Sequence, residues 1–328
     1  MNYRILGKTK FNISEISLGT WQVGGKWGEP FDHHRASKIL NQAADSGINF
    51  IDTADVYGDG ESEKAVGDFV RSRSERIYVA TKCGRKLNPH TNNSYQPEVL
   101  RKFVEDSLRN MKLEALDLIQ LHCPPTEVYF RDEIFELFDE LEDEGKILNL
   151  GVSVEKIEEA LQAIQYPSVT TVQIIFNMFR QRPAEVFFKE AKKKNGGIIV
   201  RVPLASGLLT GNYSKSTTFS AGDHRNFNRH GEAFDKGETF SGVDYETGLQ
   251  AVEELKKIFP GQENLAAVAL RWILMFDEVS CVIPGASKEE QVVSNLQALS
   301  VPALTSTQME AVKSVYDRYI KKLVHSEW

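Results

Sequence analysis

Two rhythms of apolar and polar residues alternate along this chain. Short unbroken apolar runs recur at residues 13–18, 48–52, 77–82, 116–122, 147–153, 169–174, 198–202 and 279–283. Runs of this kind, rich in Ile, Val and Leu and lacking in-out alternation, mark strands covered on both faces, as in a parallel sheet. Between them the apolar positions return every three or four residues, the spacing of an amphipathic helix. Over residues 32–46, Ala36, Ile39, Leu40, Ala43 and Ala44 share one face, with Asp32 placed as N-cap and Gly47 as the stop. Pro97 suits a first helical position and is followed by Leu100, Val104, Leu108 and Met111 on one stripe. Ile134, Phe135, Leu137, Phe138 and Leu141 repeat the pattern before Gly145.

Eight strand-helix units without a Pro/Ser-rich linker predict a single-domain α/β fold over residues 1–328, a closed (β/α)8 TIM barrel. A doubly wound open sheet would place G-x-G-x-x-G after its first strand. Here that position reads Gly19-Thr20-Trp21-Gln22-Val23-Gly24-Gly25, which does not fit. Residues 1–12 are expected to form a hairpin across the amino end of the barrel. Residues 305–324, with Met309, Val312, Tyr316, Tyr319 and Ile320 at helical spacing, are expected to add a helix after the last unit. The Gly-, Ser-, Asn- and His-rich segment 212–245 is longer than ordinary connections and leaves a strand end, so it reads as a lid.

Composition narrows the function. With 328 residues, 41% of them hydrophobic, the chain can bury a large core. A net charge of −7 lacks the basic surplus of nucleic-acid binders. No apolar stretch suits a signal segment or a membrane span, so a cytoplasmic protein is expected. Cys83, Cys123 and Cys281 are odd in number and lack C-x-x-C spacing, which argues against a zinc site or a disulfide framework. Cys83 and Cys123 directly follow Lys82 and His122, where a neighbouring cation could favour a thiolate; the plainer reading is three small buried residues. The pattern carries no signature of oligomeric state.

Chemistry collects at the ends of the runs. Asp52, Lys82 and His122 each stand where an apolar run gives way to a polar loop, and Tyr57 follows the first of them closely. In a parallel barrel these ends share the carboxyl rim, where catalytic groups sit. A nearby Lys82 ammonium would make the Tyr57 phenol more acidic than its usual value near 10, and Asp52 would keep that ammonium charged. His122 could donate to the same oxygen that Tyr57 protonates. Together they suit a carbonyl oxygen becoming an alkoxide. None is an obvious nucleophile in that role and no metal-ligand spacing is visible, so hydride from a nicotinamide is the natural complement.

The run Asn49-Phe50-Ile51-Asp52-Thr53-Ala54-Asp55-Val56-Tyr57-Gly58 is the most specific piece of a resemblance to the aldo-keto reductase family, which extends from Tyr3-Arg4-Ile5-Leu6-Gly7-Lys8-Thr9 to Ser287-Lys288. The resemblance implies an NADP(H)-dependent oxidoreductase, less often NAD(H)-dependent, that reduces an aldehyde, ketone or sugar-like carbonyl. It assigns Asp52, Tyr57, Lys82 and His122 as the catalytic tetrad. Ser153 and Gln173 would hold the nicotinamide amide, with Val154 where the family has an Asn. Thr20 and Trp21 follow the first strand and would touch the cofactor, with Trp21 also an aromatic wall for the substrate beside Tyr57 and His122, or else a core residue. Arg201 replaces the family's stacking aromatic and would serve as a platform or as a rim ion pair. Leu204, Ser206 and Gly207 would face the pyrophosphate. Gly285, Ser287, Lys288, Gln291 and Asn295 would face the adenosine end, with Gln291 where relatives place a phosphate-gripping Arg. Two other readings stay open: a nucleotide-binding redox sensor or regulatory subunit, and a lyase using Lys82 as a Schiff base.

Overall fold

Eight parallel strands close on themselves in the computed structural model, which describes residues 1–25 and 29–328. They are β3 (Leu18–Gly19), β4 (Phe50–Asp52), β5 (Tyr78–Cys83), β6 (Leu118–His122), β7 (Leu150–Ser153), β8 (Val169–Ile175), β9 (Gly197–Arg201) and β10 (Val279–Val282). Each pairs with its neighbours in chain order. Parallel bridges Ile16 to Val282 and Gly19 to Gly285 join the last strand to the first, completing the expected (β/α)8 barrel.

Two apolar cores result. One lies between the strands and the surrounding helices. The other lies inside the barrel, where Leu6, Ile13, Phe50, Ala80, Leu118, Ile199, Cys281 and Ile283 pack together. Leu6 and Ile13 come from the antiparallel hairpin β1 (Tyr3–Ile5) and β2 (Asn12–Ser14), which therefore plugs the amino end. Arg4 fastens it there through hydrogen bonds to the carbonyls of Leu274, Phe276 and Val279 and an ion pair with Glu15.

The run at 13–18 is divided rather than continuous. Ile13 and Ser14 belong to the hairpin, and only Leu18–Gly19 is barrel strand. The cause is local: Ser17 Oγ donates to the Ser14 carbonyl at 2.8 Å, which turns the backbone between the two pieces.

Helix ends follow their capping chemistry. Asp32 accepts from the Arg35 N–H and starts helix His33–Asp45, and Pro97 opens helix Pro97–Met111. After the last unit a Thr305 cap begins helix Ser306–Val315, which continues through a π-helical turn at Tyr316–Ile320 into Lys321–Val324. Segment 212–245 contains the short helix His224–Phe227 and turns at Lys236–Glu238 and Phe240–Gly242, and it folds over the barrel mouth. Trp328 clamps its base. The indole N–H donates to Asp235 at 2.9 Å and the ring stacks on the Arg180 guanidinium at 3.8 Å. Among the described residues no helix is long and apolar enough to cross a membrane.

Candidate active site

Parallel register delivers the polar residues to one layer. Gln120 stands opposite Gly151 and Lys82, Ser153 opposite His122, and Gln173 opposite Ser153. Asp52, at the end of β4, accepts from the Lys82 ammonium on one oxygen and from the amides of Gln173 (2.7 Å) and Gln120 (3.1 Å) on the other. Lys82, 1% exposed, also donates to the Thr53 carbonyl at 2.8 Å and to the Tyr57 hydroxyl at 3.4 Å. Burial opposes the charge on Lys82, but Asp52 and then Tyr57 outweigh it and hold its pKa above the ordinary value.

The Tyr57 phenol departs from the sequence expectation. Burial raises its pKa, Lys82 lowers it, and the carboxylates of Asp52 and Glu238 raise it again; the net direction is upward. Lys82 therefore limits the rise without making the phenol acidic. His122 is pushed well below its ordinary pKa, first by burial and then by Arg85, Lys82 and Arg201, so its ring is neutral. That ring meets Tyr57 edge-on with centroids 6.1 Å apart, and its Nδ1 has no hydrogen-bond partner among the described residues.

Two cavities meet at these groups. Trp21, Tyr57, His122 and Glu238 line both. The first also borders Thr20, Gln173, Arg201, Leu204, Ser206, Gly207, Gly285 and Gln291. Trp21 is half-buried, stacked toward Tyr57 at 6.4 Å and against His224 of the lid at 4.8 Å, so it is a wall of the site rather than core. Thr20 turns its hydroxyl to the Asp52 carbonyl and to Ser62. Arg201 combines both of its expected roles in part: it borders the cavity while pairing with Glu238 at 3.4 Å and donating to the Val154 carbonyl at 3.0 Å. Val154 itself is fully buried.

Four expected contacts lie off the cavity walls. Ser153 is buried against Cys123. The N–H and hydroxyl of Ser287 both point to the Gln291 side-chain oxygen, at 2.7 and 3.1 Å, so Gln291 occupies donors that the sequence had left for phosphate. Lys288 is exposed at the start of helix Glu289–Leu296, with no ion-pair partner among the described residues, and Asn295 is buried on that helix. The thiolate idea is overturned: all three cysteines are buried, and burial pushes Cys83 well above its ordinary pKa, Cys123 up to about 12, and Cys281 upward as well.

Sequence reasoning missed Gln120, Arg85, Glu238 and Arg225. Gln120 was findable, because it lies two residues before His122 on one strand and so shares its face. Arg85 sits in the loop after β5, Glu238 in the turn Lys236–Glu238 and Arg225 on the four-residue helix His224–Phe227, placements that no periodicity encodes.

The first cavity suits an extended dinucleotide. A side chain at Gly285 would meet only the Gly19 carbonyl, at 3.9 Å, so bare backbone faces the space. The buried Arg201 Nε has no hydrogen-bond partner among the described residues and lies on the same wall. Ser206 (φ 54°) and Gly207 (φ 97°) hold a left-handed turn beside it, and Arg225 from the lid adds a cation.

The chain matches the model of the Aldo/keto reductase family over residues 15–317. It is 29% identical to the aldo-keto reductase YhdN of Bacillus subtilis over 334 residues, covering 100% of this chain and 97% of that one. Identity to the NADH-specific methylglyoxal reductase of Escherichia coli is 27%, over 90% of this chain and 93% of the relative. Among solved structures, the glycerol dehydrogenase AKR11B4 from Gluconobacter oxydans superposes with a TM-score of 0.78 at 30% identity, covering 97% and 96% of the two chains.

Proposed function

The chain belongs to the aldo/keto reductase family, and we propose that it reduces an aldehyde or ketone, sugar-like carbonyls included, to the alcohol with NADP(H). The observation that carries this reading is the placement of Tyr57: its hydroxyl lies 3.4 Å from the Lys82 ammonium, on the line where the two cavities meet.

Thr20, Gln173, Arg201, Leu204, Ser206, Gly207, Gly285 and Gln291 would hold the dinucleotide in the first cavity, with Lys288 and the start of helix Glu289–Leu296 available to a 2′-phosphate. The bound nicotinamide would supply hydride. Substrate would enter the second cavity, roughly 480 Å³ in volume, within the range of small-molecule sites. Tyr57, protonated at neutral pH, then gives its proton to the carbonyl oxygen as negative charge develops there. Lys82 stabilises the phenolate left behind. Asp52, with Gln120 and Gln173 behind it, keeps Lys82 charged and fixed, and neutral His122 steadies the substrate oxygen without competing for the proton.

Lys82 is unsuited to Schiff-base chemistry, because three acceptors hold it as ammonium. Replacing Tyr57 by Phe removes only the hydroxyl. Carbonyl turnover is expected to fall by about 10²- to 10⁴-fold, while NADPH binding, followed by protein fluorescence quenching, stays close to that of the parent. Turnover within tenfold of the parent would remove Tyr57 from this role. Nucleotide binding by the parent with no turnover across a carbonyl panel would favour a sensor instead. Titration with NADH alongside NADPH settles the cofactor.

A further inference from the structure

We propose that the second cavity is built for carbonyl compounds that carry a carboxylate, which the guanidinium of Arg85 receives. The proposal rests on the reading of the protein as a carbonyl reductase. Arg85 leaves the loop after β5 and lines the second cavity but not the first. Its Nη1 is held by Glu238 at 3.1 Å and lies 3.8 Å from Glu155. The same Glu238 oxygen lies 3.4 Å from Arg201. Two guanidinium groups thus share one carboxylate oxygen.

Other charged or ionisable groups stand on the same wall: the Lys156 ammonium and the acids Glu155, Glu159 and Asp235. Glu159 is already engaged by the Thr126 hydroxyl and by the N–H groups of Glu155 and Lys156. Asp235 accepts from the Trp328 indole and the Gly237 N–H. Burial, and then the neighbouring Asp235 and Glu238, push the Glu155 carboxyl up to about 8, against the opposing pull of Arg85 and Arg201.

The geometry of Arg85 also fits. With Nη1 turned to Glu238, its Nε and Nη2 make no hydrogen bond among the described residues. They form a planar two-donor edge, the shape that binds a carboxylate through two parallel bonds. Phe234 lies 5.8 Å from the guanidinium and Tyr57 and His122 line the same space, so an anion on Arg85 directs the rest of a short substrate toward the proton donor. The carboxylate takes no part in the bond changes. The carbonyl carbon gains hydride, its oxygen gains the Tyr57 proton, and the anionic end is unaltered.

The test compares succinic semialdehyde with its neutral methyl ester by kcat/KM, in the parent, Arg85→Gln and Arg85→Lys. The parent is expected to prefer the anion by about tenfold or more, the size of a charged hydrogen bond. Arg85→Gln should reduce the anion-to-ester ratio by a similar factor, and Arg85→Lys, which keeps the charge and loses the fork, should lie between. Succinate against succinamide, read from quenching of tryptophan fluorescence, gives a second readout that needs no turnover. An equal preference in the parent, or a ratio unchanged in both variants, overturns the carboxylate site while leaving carbonyl reduction intact. A gain for glyceraldehyde 3-phosphate over glyceraldehyde, with none for the semialdehyde over its ester, overturns it in favour of phosphate. If no carbonyl is reduced, the reductase reading fails, and the succinate titration still decides the anion site.

Discussion

Removing either member of the Asp52–Lys82 pair should destabilise the fold, but by unequal amounts. Lys82→Met leaves the Asp52 carboxylate with two amide donors, from Gln173 at 2.7 Å and Gln120 at 3.1 Å. Asp52→Leu strands the ammonium with only the Thr53 carbonyl and the Tyr57 hydroxyl, and it removes the shared acceptor of both glutamines; the Gln173 amide keeps the Gln120 side-chain oxygen at 3.2 Å, so one amide donor is left unsatisfied. Breaking a buried ion pair by truncating one partner costs about 3–5 kcal/mol. Each buried donor left unsatisfied adds about 1–3 kcal/mol. Lys82→Met is therefore expected near 3 kcal/mol, and Asp52→Leu above it by about 1–3 kcal/mol. Against a total stability of about 5–15 kcal/mol, both effects are large enough to read from urea unfolding curves. The double variant should cost less than the sum of the singles, because the stranded charge disappears. An Asp52→Leu protein as stable as Lys82→Met, or more so, would refute the ordering and with it the part given to Gln120 and Gln173.

The Tyr57 phenol is raised above its ordinary value, so the protonated acid persists through the neutral range; kcat/KM for reduction should stay level to about pH 10, while alcohol oxidation, which needs the phenolate, should climb with pH. A reduction rate halved between pH 7 and 8 with a phenol signature would contradict this. Asp55 has two buried oxygens without partners among the described residues, and burial, then Glu63, push its carboxyl up to about 7. Because its folded-state pKa is raised, its contribution to stability is full below the unfolded value near 4 and falls away as pH rises from there to about 7. Asp55→Asn should flatten the decline in Tm between about pH 4 and 7, and an unaltered slope would argue against it. Gly242 (φ 78°) and Gly261 (φ 79°) share a backbone conformation, but an added Cβ meets the Trp328 ring at 2.5 Å at the first and nothing within 4 Å at the second. Gly261→Ala should cost the backbone term of about 1–2 kcal/mol, and Gly242→Ala visibly more by Tm; equal losses would mean that the indole yields freely.

Strand ends were legible because a fully covered strand must be apolar up to the rim, where the run breaks. Asp52, Lys82 and His122 stand at those breaks, and the barrel brings them together. The division of residues 13–18 was not legible, since Ile13, Ile16 and Leu18 look alike in the sequence and only the Ser17 to Ser14 hydrogen bond separates hairpin from strand. The direction of the Tyr57 shift depends on burial and on Glu238, which lies far along the chain in the lid. Gln291 folds back onto Ser287 through a four-residue turn that residue identity alone does not announce. What escaped the sequence is therefore mainly what loops contribute.

The hairpin that stoppers the lower end of the barrel has a consequence for traffic. Beneath the layer of Asp52, Lys82, Gln120 and Gln173 lies an apolar floor of Leu6, Ile13, Phe50, Leu118 and Ile199, which opposes the passage of water and ions from below. Among the described residues, Trp21 and the overhanging segment border both cavities that reach Tyr57. What can pass beneath that overhang would then decide which solutes the phenol meets.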